Sequence, residues 1–343
     1  MISAKRTPHR ADFWKAAENS EVDCFLCSHR CHISSGKRGV CGVRENREGV
    51  FYTLVYGRLI AENADPIEKK PLYHFLPGTL SYSIATPGCN FSCGFCQNWQ
   101  ISQARGNLEK FPDTFVDPGE VVKGALKTKC ASIAYTYTEP TIYMEYALDV
   151  ARLAKEAGLK NVFVTNGYET PEAVQAMRGL IDAANIDLKS FSDEFYRSSC
   201  GGRLEPVLDS IRAMREAGIH VEVTTLLVTG QNDSAEELER IASFLAGVSP
   251  DIPWHISRFH PDYQALDNIP TPISALERAV SIGESKGIRF IYVGNVAQTD
   301  RLNTRCPKCG EVVLRRAVMT LTAENIRDGA CGACGERLPI IFK

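Results

Sequence analysis

From about residue 79 the sequence keeps repeating one pattern: short runs rich in β-branched and aromatic residues alternate with longer segments of helical period. Strands are predicted at 80–86, 132–137, 161–165, 185–189, 220–228, 254–258 and 289–293. Helices are predicted between them at 118–127, 141–157, 171–180, 205–217, 235–246 and 273–286. A chain that alternates in this way pairs its strands in parallel and returns between them by right-handed crossovers. About six or seven such units fit an incomplete (β/α) barrel, with an open doubly wound sheet as the rival. Both arrangements put chemistry at the C-terminal ends of the strands.

Local signals support the helix ends. Thr170-Pro171 and Thr271-Pro272 each place a capping hydroxyl before a proline, and Asp233-Ser234 precedes Glu236-Glu237. Two helices are expected to stop at Ala-Gly, at Gly158 and Gly218.

The flanks carry a different constraint. Eleven of the thirteen cysteines fall into three tight groups, and only Cys130 and Cys200 stand apart. The opening residues 1–10 lead into no apolar segment, so no signal peptide is expected. No stretch approaches the roughly 18–20 apolar residues that span a bilayer. The cytoplasm, without membrane attachment, is the expected compartment, and thiols stay reduced there. Clustered thiols in a reducing compartment read as metal ligands. A net charge of −2 argues for no nucleic-acid backbone as partner. The 343 residues allow more than one domain, and the expected division is 1–75, 76–298 and 299–343.

The central group, Cys89, Cys93 and Cys96, has the spacing C-x3-C-x2-C and falls just after the first predicted barrel strand. Thiolates are soft ligands suited to iron–sulfur clusters. Three of them on a four-iron cube leave one iron open, as catalysis at a metal requires. A zinc knuckle is the alternative, but zinc wants four ligands and no fourth lies nearby. In the tail, Cys306-x2-Cys309 and Cys331-x2-Cys334 have the zinc-ribbon pattern of a closed S4 site, with rubredoxin-like iron or a redox dithiol as alternatives. The front group, Cys24-x2-Cys27-x3-Cys31-x9-Cys41, supplies four more sulfurs. Zinc is the first reading there and an auxiliary iron–sulfur cluster the second. A strand-like run at 51–60 follows it, and Asp65-Pro66 and Lys70-Pro71 are then expected to break regular structure.

C-x3-C-x-aromatic-C, with Phe95 in the aromatic position, resembles the signature of the radical S-adenosylmethionine (SAM) superfamily. The resemblance implies an incomplete (β/α) barrel of the radical SAM type and a [4Fe–4S] cluster whose open iron chelates SAM. One electron would then break a carbon–sulfur bond of SAM, and the 5′-deoxyadenosyl radical would abstract hydrogen from a substrate. It also implies SAM contacts at the strand ends. Thr138-Glu139-Pro140 is similar to the family's Gly-Gly-Glu-Pro segment, with the glycines replaced, and helix capping is the ordinary reading of the same residues. Thr165-Asn166-Gly167 and Asp187-Leu188-Lys189 resemble segments of glycyl-radical activating enzymes, where a plain turn and a plain ion pair are the alternatives. Phe95, Glu139, Asn166, Asp187 and Lys189 are thus the expected SAM site.

The front cysteines, the run 65–72, the run 97–103 and the terminal Cys-Pro-Lys-Cys-Gly together resemble the AmmeMemoRadiSam-system radical SAM enzymes, related to pyruvate formate-lyase activating enzymes. That resemblance implies a reduced flavodoxin- or ferredoxin-type donor and hydrogen abstraction from a glycine of a partner protein. Modification of a small molecule or RNA is a second enzymatic reading, and a non-catalytic zinc-binding scaffold a third. Cys200 is a candidate catalytic thiol, against the commoner buried inert cysteine. His255, His260 and Val293-Gly294-Asn295 are weaker candidates at the later strand ends.

Overall fold

The computed structural model describes residues 8–297 and 299–343. The expectation of no export signal rests partly on residues 1–7, and the expected boundary at 298 on Gln298; both lie outside the described residues. Among the described residues, no helix is long and apolar enough to cross a membrane.

The centre is one eight-stranded sheet. Its strands are β1 (Ala61–Pro66), β2 (Leu80–Ala85), β3 (Ser132–Tyr135), β4 (Lys160–Thr165), β5 (Ala183–Asp187), β6 (His220–Leu227), β7 (Trp254–Arg258) and β8 (Ile291–Gly294). They neighbour one another in chain order, β1 to β8. β1 runs antiparallel to β2, and β2 through β8 are parallel. A doubly wound sheet reverses its strand order at a switch point. This sheet never reverses, so right-handed crossovers stack every helix on one face and curl the sheet into an incomplete barrel.

The longer helices are α1 (Pro118–Lys127), α2 (Met144–Glu156), α3 (Pro171–Met177), α4 (Leu204–Glu216), α5 (Ala235–Val248) and α6 (Ile273–Ser285). Thr170 caps α3 by accepting from Ala173 N, and Ser234 caps α5 by accepting from Glu237 N. Thr271 does not cap α6. Its hydroxyl donates to Leu227 O at 2.5 Å and accepts from Phe259 N at 2.9 Å, tying β6 to the loop after β7. Tertiary partners outcompete the local cap there.

Period-2 alternation gives the sheet two unlike faces. Ile84, Ile133, Tyr135, Phe163, Ile186, Val223 and Trp254 are buried in the main apolar core. Several of the alternate positions are polar and bond among themselves. Ser132 Oγ donates to Ser81 Oγ at 2.9 Å, and Thr224 Oγ1 to Asn185 Oδ1 at 2.8 Å. A polar lumen of this kind needs a floor, and residues 67–76 supply it. Ile67, Leu72, Phe75 and Leu76 pack on Ala134, Val162 and Ala183.

Two expectations for the front segment change. The strand-like run at 51–60 is strand only at its start, Val50–Thr53, in a separate three-stranded sheet, and β1 begins just after it at Ala61. Asp65-Pro66 does not break regular structure but ends β1. β1 is an edge strand, where the missing N–H of proline costs no ladder bond.

The tail docks on the floor of the barrel. The Arg316–Glu68 pair, 3.4 Å apart, is fully buried, and Arg316 Nη2 donates to Tyr73 O at 2.7 Å. Beside it Glu222 accepts from Tyr73 N and His74 N, and from His255 Nε2 at 2.7 Å. Burial alone would raise the Glu222 carboxyl, but His220 and His255 outweigh it and hold it well below the usual range. His255 is the second residue of β7 and so lies toward the end of the barrel opposite the expected chemistry. It is a structural partner of Glu222.

Candidate active site

The loop from Thr86 to Asn98 rises from the C-terminal end of β2 and carries Cys89, Cys93 and Cys96. Gly88 has φ 107°, and a Cβ there would meet Val43 Cγ1 at 2.8 Å, so the loop lies flat on the front segment. The carbonyl of Asn90 is held from two sides, by His29 Nε2 and by Arg105 Nη2, each at 2.9 Å. Cys89 Sγ accepts from Phe91 N at 3.3 Å and from Asn166 Nδ2 at 3.9 Å. Cys96 Sγ lies 3.2 Å from Ser102 Oγ.

Around this loop the strand ends form one hydrogen-bonded ring. Glu139 Oε1 accepts from Thr141 N, from Thr141 Oγ1 at 2.6 Å and from Thr165 Oγ1 at 2.8 Å. Its Oε2 accepts from Asn166 N at 2.8 Å. The same two threonine hydroxyls reach Glu169 Oε1, at 2.9 and 2.6 Å, and Ser210 Oγ reaches Glu169 Oε2. Asn166 Nδ2 donates to Asn90 Oδ1 at 2.7 Å, which joins the ring to the cysteine loop. Burial, then the neighbouring Glu169, pushes the Glu139 carboxyl up to about 7.

On the far side Lys189 Nζ bonds Asp187 Oδ2 at 2.7 Å. Lys189 lies just past the end of β5 rather than on it. Burial works against the Lys189 charge, and Asp187, Cys93 and Cys200 outweigh it. Cys200 is fully buried beside Cys93, and its carbonyl accepts from Ser92 N at 2.8 Å. Phe95 is buried against Phe195, ring centroids 5.8 Å apart. His260 is exposed and meets Gln97 at 3.0 Å. Asn295 takes φ 59° and donates to Arg258 O.

Sequence reasoning missed two sets of residues. Glu169 and Thr141 complete the ring with Thr165 of the Thr-Asn-Gly segment; the only signal for Glu169 was an acidic residue four positions after Thr165. The second set sits in the lumen near β3. Asp65 accepts from Lys69 at 2.8 Å, Lys70 at 2.7 Å, Ser83 at 2.9 Å, and the hydroxyl of Tyr137. Burial pushes the Lys70 ammonium down to about 8 despite Asp65. A groove of about 550 Å³ lies elsewhere, between Arg38, Arg58 and Phe111, and no cysteine lines it.

The donor set around the loop fits an iron–sulfur cluster. Soft thiols converge with amide donors aimed at sulfur, and the Asn90 Nδ2 and Thr86 Oγ1 atoms are buried without partners. A radical SAM superfamily model matches residues 83–245, the span from β2 into α5. An uncharacterized protein of Methanocaldococcus jannaschii is 41% identical over 335 residues, covering 97% of this chain and 99% of its own. The chain belongs to the radical SAM superfamily.

Within that superfamily it is similar to the pyruvate formate-lyase-activating enzyme of Clostridium pasteurianum, 20% identical over 161 residues, 47% of this chain and 67% of the relative. A crystal structure of a domain of the pyruvate-formate lyase-activating enzyme from Bacteroides vulgatus overlaps 48% of this chain and 99% of its own, with TM-score 0.42 and 21% identity. As a radical SAM protein the chain is an enzyme, and the superfamily implies a [4Fe–4S] cluster, SAM and an electron donor. The tail cysteines form a separate cluster able to hold a metal.

Proposed function

We propose that Cys89, Cys93 and Cys96 hold the [4Fe–4S] cluster and that the chain abstracts hydrogen from a glycine of a partner protein. One observation carries the first part: three thiols on one loop at the top of β2, joined through Asn90 and Asn166 to the ends of the next strands. When bound, the cluster and SAM supply a 5′-deoxyadenosyl radical by reductive cleavage.

The chain's own residues hold that site rigid. Glu139 accepts four hydrogen bonds and braces the ends of β3 and β4, so Asn166 keeps its place against Cys89. Asp187 and Lys189 are the charged pair left to meet the amino acid portion of SAM. Lys189 also faces Cys93, where it offsets negative charge. Cys200 acts in this reading as a neighbour of Cys93, since full burial keeps its sulfur from a substrate. A neighbour of a ligand sulfur tunes the metal it supports. We propose zinc for the tail site.

The likeness to pyruvate formate-lyase-activating enzymes supports a protein glycine as hydrogen donor. Cys93→Ala is expected to abolish SAM cleavage to 5′-deoxyadenosine; full turnover in that variant overturns the cluster assignment. Reduced protein with SAM and a glycyl-radical enzyme partner should give a glycyl signal in electron paramagnetic resonance. Cleavage of SAM without that signal, with label from a small molecule or RNA entering 5′-deoxyadenosine instead, overturns the substrate assignment.

A further inference from the structure

Around one tetrahedral ion, metal–sulfur bonds of about 2.3 Å put the ligand sulfurs about 3.8 Å apart. The tail group meets that demand. Cys306 and Cys334 sulfurs are 3.6 Å apart, Cys309 and Cys331 sulfurs 3.7 Å, and all four lie within 4.8 Å of one another. Among the described residues no other three Cys, His, Asp or Glu side chains draw that close, so no three of the front sulfurs do.

The front cysteines nonetheless face one another. Cys24, Cys27, Cys31 and Cys41 all line one small pocket. Arg44 lines it too. Its side chain is 2% exposed, paired with Glu145 at 2.8 Å, and its Nε is buried without a partner. A buried donor among sulfurs calls for an acceptor.

We propose that Cys24, Cys27, Cys31 and Cys41 hold a four-iron, four-sulfide cluster rather than one metal ion, with Arg44 donating a hydrogen bond to it. On such a cube each thiolate takes a different iron, so the ligand sulfurs stand wider apart than around a single ion. The front sulfurs do not draw together as the tail four do, yet all four line one pocket, an arrangement that the wider spacing of a cube accommodates. Four thiolates for four irons leave no open corner, so the site exchanges electrons and binds no substrate.

Its position suits that role. Thr141 lines the front pocket and bonds Glu139 and Glu169 of the strand-end ring. His29, between Cys27 and Cys31, donates to Asn90 O beside Cys89. A Cβ on Gly88 would meet Cys41 O at 3.6 Å. The two cysteine loops are therefore neighbours, joined directly by the His29–Asn90 hydrogen bond. One electron from a reduced flavodoxin- or ferredoxin-class donor reduces the front cluster, which returns to its oxidised state as the central cluster takes that electron. No bond forms or breaks and no proton moves. This relay rests on the assignment of Cys89, Cys93 and Cys96; the identity of the front cluster does not.

The test uses the full chain, purified without oxygen and reconstituted with ferrous iron and sulfide. About eight irons and one zinc per chain are expected. The C89A/C93A/C96A variant should keep about four irons, with a reduced-cluster paramagnetic signal that SAM leaves unchanged. The C24S/C27S variant should also keep about four irons, with a signal that SAM alters. An iron-free C89A/C93A/C96A protein that carries a second zinc in place of the iron overturns the proposal. Failure of the central assignment looks different: iron is then unchanged by C89A/C93A/C96A, and no signal responds to SAM.

Discussion

Two groups of four cysteines flank the barrel, and both open with a C-x2-C pair. In the tail the sulfurs close to 3.6 and 3.7 Å; in the front segment they stand apart around a pocket. The tail knuckles are carried on short antiparallel strands, with Gly310 and Gly335 at φ 75° and 74° allowing the tight turns. The front loops are instead anchored elsewhere. Ser28 N bonds Tyr168 O at 2.9 Å, and Thr170 Oγ1 bonds Phe25 O at 2.7 Å, so α3 and the strand ends dictate where the cysteines sit. One group is shaped by its own turns, the other by the barrel it leans on. Removing metal should therefore damage the two regions to different extents.

The largest difference should come from the tail. A short segment whose fold depends on an S4 site loses on the order of 10 kcal/mol when the metal goes. Cys306→Ser with Cys331→Ser should release amide protection across 304–338 in hydrogen exchange, while the barrel amides stay protected. Uniform protection in that variant would place the tail with the front segment, shaped by its neighbours.

Next come the buried ion pairs that fasten each region. Breaking one side of a buried pair costs about 3–5 kcal/mol. Arg44→Met strands Glu145 beside the front pocket, and Arg316→Met strands Glu68 under the tail. Both should lower the denaturant midpoint by similar amounts, but only Arg44→Met should change the iron content.

A third effect separates the regions by pH. The Glu139 carboxyl, tied through Thr141 to the front pocket, holds its proton up to about 7 against an ordinary 4.5. Between those values the unfolded chain releases the proton and the folded chain keeps it, so stability falls as pH rises, by about 3 kcal/mol in all. Glu139→Gln should flatten that slope in urea unfolding measured from pH 4.5 to 7.5. A wild-type protein with no such slope would show that the ring leaves Glu139 ionised.

The smallest effect is at the surface of the front segment. His32 stands 2.7 Å from both Asp23 and Glu21, whose hydrogen bonds raise its imidazole above the usual range. Its contribution is present below the unfolded value and disappears as pH rises through the folded one. His32→Ala should leave Tm at pH 8 unchanged and lower it slightly at pH 5.5, and should leave bound metal unaltered.

Pattern and spacing alone determined the alternating strands and helices, the caps at Thr170 and Ser234, and the grouping of eleven cysteines. Those are local properties: a 2.0 or 3.6 residue period, a hydroxyl before a proline, thiols a few positions apart. What only the tertiary structure decided has partners remote in sequence. Asp65-Pro66 reads as a breaker and becomes an edge strand because β2 is there to pair with it. Thr271 reads as a cap and instead bonds Leu227, 44 positions away. Glu169, an acidic residue four positions after Thr165, took on its role only when β3 and β4 brought Thr141 and Thr165 together beside it. The separation of the front sulfurs has the same origin. Residue spacing limits how near two thiols can come, but the body they rest against sets how near they are.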